Sequence, residues 1–288
     1  MLTTELTQQL GIKHPVMLAG MGQVSGASLV AAVSNAGGLG VVGGALYSPQ
    51  QLKDILQDVK SRLKSPDTPF GVDLLIPQVG GNARRTNFDY TNGKLSELID
   101  VVVEMGAKLF VSAVGVPPTW VVEKLHRGGV LYMNLVGHPK HVRKACNAGA
   151  DGIIAQGYEA GGHTGDIPSR IINGDFDSTM RTLIFTGRPL RIQRTPYIAH
   201  WESHRQDEIR QLTSKGKIPL DIEIDRLHTS GELTEEIEDQ SVKRPMGMVS
   251  GLVNKPDQPA AEIVAEIVED ATQLLGSASH YLTLPSKM

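Results

Sequence analysis

The chain has one cysteine, Cys146, among 288 residues. A single thiol excludes an intramolecular disulfide and any cysteine-based zinc site, and it suits a reducing compartment. Cys146 falls inside a helical pattern, so it is expected to pack. Charge of one sign is lacking too: 28 Lys and Arg against 31 Asp and Glu leave a net charge of -3 and a pI near 6.3. Aromatics make up only 5% and no basic stripe interleaves them, so the expected partner is a small molecule and not nucleic acid. No run of 18 apolar residues occurs, and the N-terminus shows no charged-then-apolar segment with a small-residue cleavage site. Neither a membrane span nor a secretory leader is expected. The closing Ser286-Lys287-Met288 is one conservative step from the Ser-Lys-Leu peroxisomal address, which makes the expected location cytoplasmic, or peroxisomal through that tripeptide.

What is present is a repeating α/β texture. Apolar residues make up 40% of the chain, and the length suits one α/β barrel or two smaller domains. Six short strand-like runs, at residues 15–18, 39–42, 70–75, 109–113, 130–135 and 152–156, alternate with amphipathic helices. Leu52, Ile55, Leu56, Val59 and Leu63 carry helical spacing, as do Leu95, Leu98, Ile99, Val102 and Met105. Helix stops such as Asn35-Ala36-Gly37-Gly38 precede the strands. The fold class is therefore α/β, an incomplete TIM-type (β/α) barrel of about six units where a closed one needs eight. Beyond Gly165 comes an arginine-rich stretch at residues 181–194, in which residues 182–185 have strand character and Thr186-Gly187-Arg188-Pro189 reads as a turn. A polar region follows at residues 202–244. A last helix over residues 259–275 gathers Ile263, Val264, Ile267, Val268, Ala271 and Leu274 on one face, which is expected to dock on a core.

Chemistry concentrates in Gly157-Tyr158-Glu159-Ala160-Gly161-Gly162-His163-Thr164-Gly165, directly after the sixth run. Glycines let backbone approach a flat ligand, and imidazole moves protons near neutral pH, so His163 is the candidate general acid or base. Glu159 is open between orienting the imidazole and simple solvation. The loop Gly20-Met21-Gly22-Gln23-Val24-Ser25-Gly26 misses the dinucleotide fingerprint by one residue, and no acidic residue ends the second run. It reads as a turn whose amides approach a ring system. His138 and His141, and His200 and His204 on an expected helix over residues 199–212, lack a third ligand for a metal. Arg181, Arg188, Arg191 and Arg194 are open between binding an anion and ordinary solvation. The loop Gly80-Gly81-Asn82-Ala83-Arg84-Arg85 is a candidate wall of the site.

These segments together resemble the nitronate monooxygenase family, formerly the 2-nitropropane dioxygenases, most closely its fungal-type members. The match rests on Pro15-Val16-Met17-Leu18-Ala19-Gly20-Met21, Ser34-Asn35-Ala36-Gly37-Gly38-Leu39-Gly40, Pro69-Phe70-Gly71-Val72-Asp73-Leu74-Leu75, the Glu159 to Gly165 turn, and Arg181-Thr182-Leu183-Ile184-Phe185-Thr186-Gly187-Arg188-Pro189. The resemblance implies an FMN-containing barrel, with Ala19, Gly20, Met21, Asp73, Gln156, Gly161 and Gly162 in contact with the cofactor and His163 as the base. Asp73 stands where relatives often carry Asn. The implied reaction is oxidation of a nitronate or nitroalkane by the flavin, which O₂ reoxidises; no metal, nucleic acid or membrane enters it.

Relatives carry two further strands, whose turns hold the FMN phosphate, between the histidine turn and the Arg181 segment. Here residues 167–178 join the two sides directly. The expected division is a barrel portion over residues 1–170, a substrate-domain remnant over 171–250, and a C-terminal helix over 251–288 packing back on the barrel. A non-catalytic shortened member and a flavin-dependent enoyl reductase stand as alternatives. Whether neighbouring chains complete the sheet as a homo-oligomer is left open.

Overall fold

The computed structural model describes residues 2–22, 24–79, 85, 87–156, 176–247, 255 and 257–278. Five parallel strands form one sheet in sequential order: β1 (Gly40–Gly43), β2 (Phe70–Leu75), β3 (Leu109–Ala113), β4 (Leu131–Val136) and β5 (Gly152–Ala155). A parallel bridge from Met17 to Leu39 sets the 15–18 run beside β1, so all six expected runs find their place. The alternation is local in origin. Glycine at Gly37, Gly106 and Gly149 adopts positive φ just before β1, β3 and β5, a conformation that costs residues with a Cβ.

Both faces of the sheet are buried, as its nearly continuous apolar strands require. On one face Val42, Val72, Phe110 and Tyr132 pack against α2 (Ala27–Asn35), α3 (Pro49–Arg62), α4 (Leu95–Glu104) and α5 (Thr119–Arg127). On the other, Leu39, Val41, Leu109, Val111 and Met133 meet Leu10 of α1 (Glu5–Leu10) and Ile12. Sequential order with the crossover helices on one face is the winding of a (β/α) barrel wall. Among the described residues no further strand pairs with β5, whose Gly152, Ile153 and Ile154 are half-buried.

Close packing of α2 on β1 depends on Gly40. A Cβ there would stand 2.0 Å from the Val30 carbonyl oxygen, while the Gly40 amide donates to Ser34 Oγ at 2.9 Å and that hydroxyl donates to the Pro69 carbonyl at 2.8 Å. Gly40→Ala is therefore expected to destabilise the fold by about 1–3 kcal/mol, the usual cost of overpacking. Urea unfolding reads this directly, and an unchanged midpoint would mean that α2 does not press on β1.

Residues 176–247 build a second core. Strands β6 (Thr179–Thr182) and β7 (Leu190–Gln193) form an antiparallel hairpin. Helices α7 (Pro196–His204), α8 (Gln206–Ser214), α9 (Pro219–Ser230) and α10 (Glu235–Ser241) follow it. Ile184, Ile192, Ile198, Trp201, Ile209 and Leu220 fill the centre.

Several sequence expectations need correction. Residues 183–185 turn the hairpin and do not continue its strand; their apolar side chains serve the second core. The expected helix over 199–212 breaks at Arg205, whose guanidinium lies 3.4 Å from the Trp201 ring centroid and pairs with Glu208 and Glu223. Cys146 of α6 (Val142–Asn147) is exposed, and the adjacent Ala145 takes the buried position. The final helix α11 (Ala260–Ala278) buries Val264 and Val268 and contacts α2, but Ile267 and Leu274 stay 50% and 70% exposed. Ser286-Lys287-Met288 lies outside the described residues, and among those described no helix is long and apolar enough to cross a membrane.

Candidate ligand site at the carboxyl ends of the strands

The loop after the first run folds down onto the ends of β1 and β2. Its clamp is Ser25, which is 2% exposed. Ser25 Oγ donates to the Ala19 carbonyl at 2.6 Å and accepts from the Met21 amide at 3.2 Å, and the Ser25 amide returns a bond to the Met21 carbonyl at 2.9 Å. Sequence reasoning missed this residue, although a serine closing a glycine-rich βα turn ahead of a helix was a usable signal.

Two glycines make the approach fit. A Cβ on Gly20 would lie 2.3 Å from the Asp73 Cβ, and a Cβ on Gly43 would lie 2.4 Å from the Met21 carbonyl carbon. Backbone of the loop thus rests directly on β1 and β2. Asp73 pairs in register with Gly43 on one side and Val111 on the other, so it faces the α1 side of the sheet near its carboxyl end.

Asp73 is 5% exposed, and its carboxyl makes no hydrogen bond to any described residue. Burial alone pushes it up to about 8, because a carboxylate without water or a counter-ion is costly. At neutral pH the side chain is the uncharged acid.

The structure thus brings Ala19, Gly20, Met21 and Asp73 together. Gln156 stands at the same end of the sheet, exposed just past β5, with its amide bonded to the Val136 carbonyl at 2.9 Å. Gly161, Gly162 and His163, with Glu159, lie outside the described residues. Of the loop at residues 80–85 only Arg85 is described; its guanidinium donates to the Ser214 carbonyl at 3.4 Å, tying that edge to the second core. Nearby Arg188 bonds to Asn87, and Arg191 donates to Thr179 at 2.9 Å.

Strain marks the same end. Leu46 follows β1 at φ 65° and Val114 follows β3 at φ 70°. For a branched residue such as Val this conformation is uncommon and gathers at ligand sites. The His200 and His204 rings stack 4.6 Å apart, and no group of three or more His, Cys, Asp or Glu side chains suited to a metal occurs among the described residues.

Parallel strands wound in order, with a clamped glycine loop over their carboxyl ends, define a singly wound α/β protein whose candidate ligand site is that end of the sheet. The chain belongs to the nitronate monooxygenase family, a family of oxidoreductases; the family model matches residues 3–171. It is 32% identical over 189 residues to a Mycobacterium tuberculosis protein named (3aS,4S,5R,7aS)-5-hydroxy-7a-methyl-1-oxo-octahydro-1H-indene-4-carboxyl-CoA dehydrogenase, covering 66% of this chain and 47% of that one. It is 32% identical over 188 residues to a probable nitronate monooxygenase of Staphylococcus saprophyticus, covering 57% and 51%. The chain spans about half the length of the curated relatives it matches. In shape it is similar to FabK from Thermotoga maritima, with a TM-score of 0.75 at 20% identity over 98% of this chain and 100% of that one. Nitroalkane oxidase from Streptomyces ansochromogenes gives 0.68 at 21% identity, over 94% and 100%.

Proposed function

We propose that the protein is an FMN-dependent oxidoreductase of nitronate monooxygenase type that acts on nitronates or nitroalkanes with O₂. The observation that carries this reading is the loop backbone at Gly20 pressed against the buried, uncharged Asp73. Gly20 lets the loop settle on β2 beside an uncharged side chain, and a surface without net charge suits a flat, mainly apolar ring system with one polar side chain to orient it.

Ala19, Gly20 and Met21 would present their backbone to one part of the ring, Asp73 would meet its polar edge, and Gln156, Gly161 and Gly162 would complete the enclosure. When bound, the flavin supplies the two-electron oxidation and hands electrons to O₂. The chain's own part is to exclude water, to orient, and to move one proton. His163 would take that proton from the carbon beside the nitro group, using the ring nitrogen that is free in neutral imidazole.

A second reading, a non-catalytic family member, is favoured by one observation: among the described residues no further strand pairs with β5 to carry a phosphate-holding loop. One titration separates the two. Purified protein mixed with FMN is expected to quench flavin fluorescence to saturation at one flavin per chain. Colourless protein that leaves the fluorescence unchanged would overturn the flavin reading and support the second.

A further inference from the structure

We propose that Asp73 serves this site as a neutral acid whose O–H donates a hydrogen bond to an acceptor on the flavin ring, so that the ring is held tightly only while that proton is in place. The inference rests on the flavin reading above and adds to it a positioning residue and a pH limit.

Among the described residues, the segments that meet Asp73 are the turn at Gly20, β1 through Gly43 and β3 through Val111, and none of these carries an ionisable side chain; α3 and α4, which carry charged residues, pack on the opposite face of the sheet. The register neighbours Gly43 and Val111 offer neither a proton nor a positive charge. Gly20 lies over the side chain closely enough to leave no room even for a methyl group. His163 lies outside the described residues.

A carboxylate in such a place has neither an ion pair nor a hydrogen bond among the described residues and is 5% exposed, so the ionised form is the disfavoured one. The neutral form differs in kind. It has one donor hydrogen, and a carboxylate has none. A flavin ring edge is rich in acceptor atoms, so protonated Asp73 can donate where ionised Asp73 would place negative charge against lone pairs. The proton therefore decides between attraction and repulsion at the same atom. Asparagine has nearly the same shape, keeps a donor and has no proton to lose in this range. It separates the role of the donor from that of the charge.

The test is FMN affinity of the full chain by fluorescence quenching at pH 7 and pH 9, for the parent, Asp73→Asn and Asp73→Leu. For an acid that holds its proton to about pH 8, the parent is expected to bind about tenfold more weakly at pH 9 than at pH 7. Asp73→Asn is expected to lack this loss, and its own change between the two pH values corrects for any titration of FMN itself. Asp73→Leu, neutral but without a donor, is expected to bind at least about tenfold more weakly than Asp73→Asn at pH 7. Parent affinity that does not change with pH, an equal loss in parent and Asp73→Asn, or tight binding by Asp73→Leu would each overturn the proposal. Failure of all three proteins to bind FMN at either pH would instead overturn the flavin reading, and this inference with it.

Discussion

At pH 8 the Asp73→Asn protein is expected to be more stable than the parent by on the order of 5 kcal/mol, and at pH 4 the two are expected to be nearly equal. The sign follows from where the proton sits. Folded Asp73 keeps it to about pH 8, whereas an ordinary aspartate loses it near 3.8. Between those values the folded state binds one more proton than the unfolded chain, so stability falls as pH rises. The stabilising share of this group is complete below the unfolded value and is gone once pH passes the folded one. Asparagine fills the same space without that linkage, so the gap between the two proteins should widen steadily across the window and level off above it. Urea unfolding at pH 4.5, 6 and 8 measures the gap. A difference that stays constant with pH, or none at all, would mean that Asp73 is ionised in the folded protein.

His163→Ala is expected to lower turnover of a nitroalkane by about 10²–10⁴-fold while leaving the flavin content unchanged. The reason is chemical. A neutral nitroalkane must lose a proton from carbon before its electrons can leave as a pair, and the imidazole is the group assigned to take it. A nitronate has already lost that proton. The variant should therefore retain most of its activity on pre-formed nitronate, and the ratio of the two rates isolates the proton transfer. An equal loss on both substrates would make His163 a positioning residue, and full activity on both would remove it from the reaction.

Much of the fold was legible because its signals are local. The runs at residues 70–75 and 109–113 coincide with β2 and β3, and 130–135 and 152–156 match β4 and β5 to within one residue. Apolar stretches of that length between glycine stops leave few alternatives. Errors arose where distant packing overrode the local pattern. Leu183, Ile184 and Phe185 have strand character but turn a hairpin, because the core around Trp201 takes their side chains. Residues 199–212 carry a continuous helical pattern, yet Arg205 leaves it to meet Trp201 and Glu223. Cys146 and Ala145 are neighbours on one short helix and point about 100° apart, so only one of them could face the core, and it is Ala145.

The site divides in the same way. Strand direction and loop position place the turn at Gly20 and Met21 at the carboxyl ends of the strands; Ala19, Asp73 and Gln156 entered the expected site through the family resemblance. The sequence alone also determined the family, through motifs that are contiguous in the chain. Only the tertiary structure decided that Asp73 is buried against Gly20, that Ser25 locks the loop that presses on it, and that no charge stands beside it among the described residues. The physical reason is that dielectric and partner set the charge of an acid, and both are assembled here from segments distant in sequence: residues 18–26, β1 and β3. The sequence shows that position 73 is an aspartate; the packing makes it an uncharged one.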